Sequence, residues 1–284
     1  MSRASWDALI AACALPRLDA RAIAEQASGR PRTWLIAHGD EAAEPAAAHA
    51  FDTLAARRRA GEPLAYVLGW REFHGRRFEV GPGVLVPRPE TEGLVDAALE
   101  RLAGVPAPRL LDLGTGSGAI AATLALERPD AAVLATDASA EALAVARANA
   151  ARLGATGIGF ALGDWWAALP PGCAPFDAIV SNPPYIADAD PHLLDPALRH
   201  EPPSALASGP EGLDAIGTIV AGASARLVAG GWLLLEHGRD QGPAVRDRLL
   251  RAGFEGVATL PDLQGLDRVS IGRRPPPAAG DRVV

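Results

Sequence analysis

From Arg109 to Ile271, short apolar runs alternate with longer amphipathic stretches, and no other feature restricts the possible architectures of this chain so strongly. Leu110–Leu113, Ala132–Thr136, Ile158–Leu162, Ala178–Ser181 and Trp232–Glu236 read as strands. Ala119–Glu127, Ala140–Leu153, Ile216–Leu227 and Pro243–Ala252 read as helices. Parallel strands need a crossover connection, usually helical, so this alternation predicts an α/β fold with a mainly parallel sheet covered on both faces. Two closing strands near Val257–Leu260 and Arg268–Ile271 have only the Pro261–Leu266 loop between them. That loop is too short for a crossover, and the pair should be antiparallel.

Ahead of the sheet the pattern changes twice. Ala- and Leu-rich stretches from Ser5, from Asp19, after Pro31 and from about Glu44 to Ala60 predict helices. Ser5 and Asp19 are candidate N-caps, and Pro31 and Pro45 stand where first-turn prolines are tolerated. Between Gly61 and Pro87, Leu64–Leu68 and Arg77–Val80 read as short β runs broken by Gly69, Gly75, Gly81 and Gly83. The expected division is a helical domain over 1–60, a β-hairpin linker over 61–87, an α/β domain over 88–274 and a disordered tail over 275–284.

Composition narrows the chemistry. The net charge is −7, and all 27 basic residues are arginine, which excludes a lysine nucleophile or Schiff base. An acidic chain without a basic block is poorly suited to tight, sequence-independent nucleic-acid binding. Cys13 and Cys173 lack metal-ligand spacing and read as buried free thiols, and the six histidines show no ligand pattern, so no metal is expected. Asp7 and Arg17 interrupt any leader-like apolar region, and no apolar run approaches the ~18 residues of a membrane span. The expectation is a soluble, cytoplasmic, monomeric protein.

Leu111-Asp112-Leu113-Gly114-Thr115-Gly116-Ser117-Gly118-Ala119 places three glycines between the first sheet strand and its helix. Glycine there permits a tight turn and close approach of a ligand to the helix N-terminus. Gly114-x-Gly116-x-x-Ala119, with Asp137 after the next strand, also satisfies a loose dinucleotide fingerprint, so the loop alone does not distinguish one adenosine cofactor from another. Asp112 would repel a pyrophosphate and attract the α-ammonium of a sulfonium cofactor. Asp164 and Trp165 supply an acid and an aromatic face for an adenine, whereas Trp165 and Trp166 fit core packing equally well.

Ser181-Asn182-Pro183-Pro184-Tyr185 ends an apolar strand at two prolines. Proline fixes φ and has no N–H, so the segment is stiff and its carbonyls are available to a ligand. One amide side chain, one backbone carbonyl and one ring are thereby delivered to the same place, which suits a planar NH2 group, whether of a base or of an amide.

Together, the glycine loop, the acid after strand two, the Asp-Trp after strand three and Asn-Pro-Pro-Tyr after strand four resemble the class I S-adenosylmethionine-dependent methyltransferases. That resemblance implies a Rossmann-like, seven-stranded sheet with an antiparallel last strand. Gly61-Glu62-Pro63-Leu64-Ala65-Tyr66, Gly69-Trp70-Arg71-Glu72-Phe73, Pro87-Arg88-Pro89-Glu90-Thr91-Glu92 and Leu234-Leu235-Glu236-His237-Gly238 are similar to the bacterial peptide chain release factor N5-glutamine methyltransferases. The likeness runs from about Ser5 to Arg273 and departs at Trp70, His74 and Trp166. It implies S-adenosyl-L-methionine as cofactor, contacted by Gly114 to Gly118, Asp137, Trp165 and Asn182, and a substrate clamp at Asn182 to Tyr185. The implied substrate is the glutamine of the Gly-Gly-Gln motif in release factors, a ribosomal-protein glutamine being the related alternative. In that reading Asn182, Pro183 and Tyr185 carry catalysis. Arg88, Glu90, Glu92, Arg199 and Glu201 are candidates for the substrate mouth, although loop charge and helix capping explain Glu90 and Glu92 as well. The rival is an N-methyltransferase acting on DNA or RNA, against which the acidic balance counts.

Overall fold

The computed structural model describes residues 4–276; of the expected disordered tail, residues 277–284 lie outside the described residues. Ser5 opens helix α1 (Trp6–Ala12), its hydroxyl accepting the Ala8 N–H. Helix α2 (Arg17–Ser28) starts two residues before Asp19, which is therefore a first-turn acid rather than the expected N-cap, and whose carboxylate accepts Arg58 at 2.7 Å. Helices α3 (Arg32–Ala37) and α4 (Pro45–Arg59) follow Pro31 and Glu44. Trp6, Ile23, Leu35 and Phe51 close a core among these helices.

Leu64–Leu68, expected as a β run, is instead a short helix, α5. Five apolar residues carry too few turns to reveal a period, and here Pro63 precedes the run while Gly69, at φ 82°, ends it in the left-handed conformation. Val67 joins the helical core, while Ala65 and Tyr66 pack with Val80, Val84 and Ala142. The helical unit thus reaches Leu68 and is coupled to the rest of the chain by α5.

Strands β1 (Trp70–Phe73) and β2 (Arg76–Glu79) form an antiparallel hairpin. His74 and Gly75 turn it with φ of 50° and 71°, the two positive values that a tight primed turn requires. Phe73 and Phe78 meet edge to face and are buried with Leu94 and Val95 of helix α6 (Glu92–Arg101). A hollow of about 600 Å³ lies where Trp70 and Arg77 face α5 and helix α8 (Ala140–Leu153); it contains none of the expected site residues.

The main sheet follows as expected in kind. Strands β3 (Arg109–Leu113), β4 (Ala132–Asp137), β5 (Ile158–Leu162), β6 (Phe176–Ser181) and β7 (Leu227–Glu236) are parallel. Strands β8 (Glu255–Pro261) and β9 (Asp267–Arg273) pair antiparallel, and β9 inserts antiparallel beside β7, giving the seven-strand order β5-β4-β3-β6-β7-β9-β8. Helix α7 (Ala119–Glu127) follows β3; α9 (Asp214–Ala223) and α10 (Gly242–Arg251) complete the helices. The helix expected to run to Leu227 ends at Ala223, because Leu227 pairs with Phe176 and belongs to β7.

Alternation along the strands divides the core. Leu110, Val180 and Leu234 face α6 and α7, while Leu111, Ile179, Leu233 and Leu235 face α9 and α10. Cys13 is buried and Cys173 only partly so, both free thiols. Phe78→Ala is expected to lower stability by about 3–5 kcal/mol, since it removes a fully buried ring from a shared core; urea unfolding of the variant against wild type measures this, and an unchanged midpoint would contradict it.

Candidate active site

Parallel pairing brings the C-terminal ends of β3, β4 and β6 to one edge, and β3 has β4 on one side and β6 on the other. The loops after β3 and β6 therefore part at a topological switch point, where open α/β sheets form their clefts. A cleft of about 680 Å³ lies there, lined by Gly114, Gly116, Asp137, Asp164, Trp165 and Asn182. Leu85, Ser139, Ser204 and Thr218 also line it and are not signalled by any motif.

The glycine loop is fixed by its own backbone. The Gly114 and Thr115 N–H groups both donate to the Thr136 carbonyl at 2.9 Å, and Gly116 N–H donates to Asp137 Oδ2 at 2.9 Å. Asp137 Oδ1 accepts the Ser139 N–H, so this acid is already oriented by two loops. Gly116 has φ 54° and open space where a Cβ would stand, leaving room for a ligand against the backbone. Gly118, at φ 81°, packs its Cα against Ala146 so closely that a Cβ would lie 3.0 Å from the neighbouring backbone.

Asp112, Thr115, Ser117 and Gly118, expected as cofactor contacts, do not line the cleft. Asp112 is fully buried, and its Oδ2 accepts the Thr115 hydroxyl at 2.7 Å. Burial pushes its carboxyl up to about 7, against the opposing effects of Thr115 and the Ala121 backbone. Its place is beneath the loop, holding the turn from below. Ser117 offers its carbonyl to buried Asn149, whose amide also pairs with the Glu79 backbone and so ties hairpin to loop. Asn149 is a polar residue on a helix and carries no sequence signal.

Trp165 stands at φ 42°, a conformation that costs a non-glycine residue on the order of 1 to 3 kcal/mol. It opens the 3-10 turn Trp165–Ala168 after Asp164, and its ring covers Gly114. Trp166 turns away, donating to the Thr218 carbonyl at 2.9 Å and seated on Gly222 of α9. The two tryptophans thus separate into a cleft wall and a brace.

Beyond the cleft, a slot of about 160 Å³ is bounded by Leu85, Arg88, Tyr185, Ile186, Leu198 and Leu206, with Asn182 and Pro183 shared between slot and cleft. Asn182, which lines both cavities, donates from Nδ2 to the buried Thr91 hydroxyl at 3.1 Å. Among the described residues no hydrogen bond is made to Asn182 Oδ1 or to the Pro183 carbonyl. Tyr185 donates its hydroxyl to Glu236 at 3.3 Å, and its carbonyl accepts Gln241 Nε2 at 2.9 Å. Gln241 also binds the Glu211 and Gly212 carbonyls, stitching the segment after β6 to the start of α10.

The charged candidates divide. Arg88 Nη2 donates to Glu201 Oε1 at 2.5 Å, and Glu201, buried, takes the Val86 N–H on its other oxygen. This pair fastens the 186–206 segment to the loop before α6, so Arg88 forms part of the slot rim with its charge engaged. Glu90 lies in the turn Pro89–Thr91. Glu92 points elsewhere, accepting the His74 N–H at 2.8 Å, and Arg199 is exposed. His237 bridges the Gly238 carbonyl and Ser270, burial holding its imidazole below the usual range. Among the described residues no group of three or more His, Cys, Asp or Glu side chains could hold a metal, and no helix is long and apolar enough to cross a membrane.

This arrangement has known counterparts. Residues 4–69 match the PrmC N-terminal domain family and residues 94–209 the methyltransferase small domain family. The release factor glutamine methyltransferase of Bordetella pertussis is 53% identical over 264 residues, covering 93% of this chain and 97% of that protein. Its counterpart from Escherichia coli K12 is 44% identical over 258 residues, 91% and 92% of the two chains. A methyltransferase from Pyrococcus furiosus superposes with a TM-score of 0.52 at 20% identity, covering 78% of this chain and 97% of that one. A T. thermophilus 16S rRNA N2 G1207 methyltransferase in complex with AdoMet and guanosine gives 0.53 at 24% identity, covering 72% and 49%. The last two carry the fold alone.

Gly212 makes the rigidity of the clamp testable. It has φ 69°, and a Cβ would lie 2.2 Å from the Tyr185 carbonyl oxygen. Gly212→Ala is expected to cost about 1–3 kcal/mol by forcing two backbone segments apart. Chemical denaturation is the check, and wild-type stability would refute the contact.

Proposed function

The chain belongs to the release factor glutamine methyltransferases, and we infer from its clamp that it transfers a methyl group from S-adenosyl-L-methionine to the side-chain amide nitrogen of the glutamine in the Gly-Gly-Gln motif of release factors. The observation that carries this reading is the Asn182 amide, tethered through Nδ2 to Thr91, its Oδ1 without a protein partner among the described residues, on the wall of a cavity wide enough for one side chain. The cleft beside it suits the cofactor: an open backbone at Gly116, the Asp137 acid at its floor and the Trp165 ring at its wall. When bound, S-adenosyl-L-methionine supplies a sulfonium methyl already activated by its own charge.

A glutamine amide nitrogen is a weak nucleophile because its lone pair is delocalised into the carbonyl. The protein therefore contributes position and electrostatics. Asn182 Oδ1 and the Pro183 carbonyl each accept one N–H of the substrate amide, orienting the nitrogen toward the cleft and stabilising positive charge that grows on it. Tyr185 supplies a flat wall, and the Arg88–Glu201 pair keeps the slot narrow. In this reading Gly114, Gly116, Asp137, Asp164, Trp165 and Asn182 hold the cofactor, while Asp112, Thr115, Ser117 and Gly118 shape the loop from behind. The helical unit recognises the release factor, and Gly61 at its end stands against Pro196 in the segment that covers the slot. The enzyme acts as a cytoplasmic monomer on protein, without nucleic acid or membrane.

Incubation with labelled cofactor and purified release factors, beside a control in which the Gly-Gly-Gln glutamine is replaced, tests the substrate. Label on the control, or on nucleic acid instead, would overturn it. Asn182→Ala is expected to lower turnover by roughly a hundredfold or more while leaving cofactor affinity near wild type. Full turnover by a folded Asn182→Ala enzyme would remove the clamp from the mechanism. Asp137→Ala should instead weaken cofactor binding, read by titration calorimetry, and unchanged affinity would remove Asp137 from the cofactor site.

A further inference from the structure

Under the slot lies a carboxyl to which the reaction outlined above gives no part. Glu236 ends β7 directly after Leu235, the partner of Ser181, and so stands beside Asn182 at the sheet edge. It is fully buried; its Oε1 accepts the Tyr185 hydroxyl, and its Oε2 has no partner of regular hydrogen-bond geometry. The Thr91 hydroxyl faces the same carboxyl from the turn ahead of α6 while accepting Asn182 Nδ2. Arg268 of β9 and Glu90 of that turn are the other charged groups that act on it.

The direction of the protons decides what this chain can do. A hydroxyl has one proton to donate, and an ionised carboxylate only accepts. With Glu236 ionised, Tyr185 donates to it, and the Thr91 hydroxyl facing it has its proton drawn toward the carboxylate. Thr91 then has only lone pairs left for Asn182, which must turn its NH2 toward Thr91 and its Oδ1 toward the slot. A protonated Glu236 can donate to Thr91 instead, freeing the Thr91 proton for Asn182 Oδ1. The amide then turns over, and its NH2 meets the NH2 of the substrate, donor against donor.

We propose that Glu236 is a positioning residue that fixes, through Thr91, which end of the Asn182 amide faces the glutamine and holds, through Tyr185, the aromatic wall of the slot. The assignment rests on the glutamine methyltransferase reading given above. Burial pushes Glu236 up to about 7, with Glu90 adding to the shift and Thr91, Arg268 and Tyr185 opposing it. Burial first, and then the Glu236 charge, push the Tyr185 phenol upward, so it remains a donor. Because the carboxyl pKa is raised, its ionised form is lost as pH falls through about 7. The kcat/KM of the enzyme therefore falls on the acid side of that value.

The test is kcat/KM against pH with a purified release factor, for wild type, Glu236→Gln, Thr91→Val and Thr91→Ser. Asp112 titrates in the same range and is untouched in all four proteins, so loss of the acid limb in one variant reports that residue alone. Glu236→Gln is expected to flatten the limb and lower kcat by roughly tenfold, with KM and cofactor affinity little changed. Thr91→Val should reproduce the loss, and Thr91→Ser, which keeps the hydroxyl, should restore activity. A wild-type limb and kcat in Glu236→Gln would overturn the proposal. If that variant does not fold, the Thr91 pair decides: equal rates for valine and serine would overturn it equally. A wild-type enzyme that leaves the Gly-Gly-Gln glutamine unmodified defeats the substrate reading first, before any variant is compared, and the proposal with it.

Discussion

Everything at the active edge depends on the register with which β6 lies between β3 and β7. Asp112 pairs with Val180, and Ser181 pairs with Leu235, so the glycine loop, the Asn-Pro-Pro-Tyr segment and Glu236 leave the sheet side by side. A strand slipped by one residue would exchange the faces of Ile179 and Val180, each buried in a different core. The apolar packing on both faces therefore also sets the position of the polar groups beyond the strand ends. Two prolines complete the arrangement by denying β6 any continuation of its ladder.

The polar groups around the site are oriented from behind. Asp112 holds Thr115, Asn149 holds Ser117, Glu201 holds Arg88, and Glu236 holds Tyr185, and each of these four supporting side chains is buried. A buried charge is costly unless paired or hydrogen-bonded, and burial raises the pKa of a carboxyl left with few partners. Glu201, paired with Arg88, meets that cost through a salt bridge, whereas Asp112 and Glu236 are pushed toward neutrality. Such groups are retained where orientation matters, since a side chain fixed from behind loses little freedom when it meets a ligand.

Much of this was legible in the chain. Helices α7 and α8 and strand β5 lie where their periodicity put them, and the short loop between the last strands correctly required antiparallel pairing. A short apolar run, by contrast, has no period of its own. Leu64–Leu68 became a helix between Pro63 and Gly69, and Leu227 left its helix to pair with Phe176. Asp112 and Glu92 show the complementary limit, because a charged residue inside a motif can serve the fold as readily as a ligand. Asn149 and Gln241 gave no signal, and Thr91 stood in a motif without a role of its own, since what each does consists of contacts with residues distant in the chain.

The sequence by itself determined the α/β class, the glycine loop, the proline-stiffened turn after β6 and the family, because those rest on local periodicity, on residues with restricted backbones and on motifs read in order. Only the tertiary structure decided which acids face the cleft, which tryptophan forms its wall, and that Arg88 is engaged by Glu201. Direction and burial are properties of packed surfaces. Two aspartates in similar motifs differ in exposure only once strands are paired and helices laid over them, as Asp137 at the cleft and Asp112 beneath its loop do here.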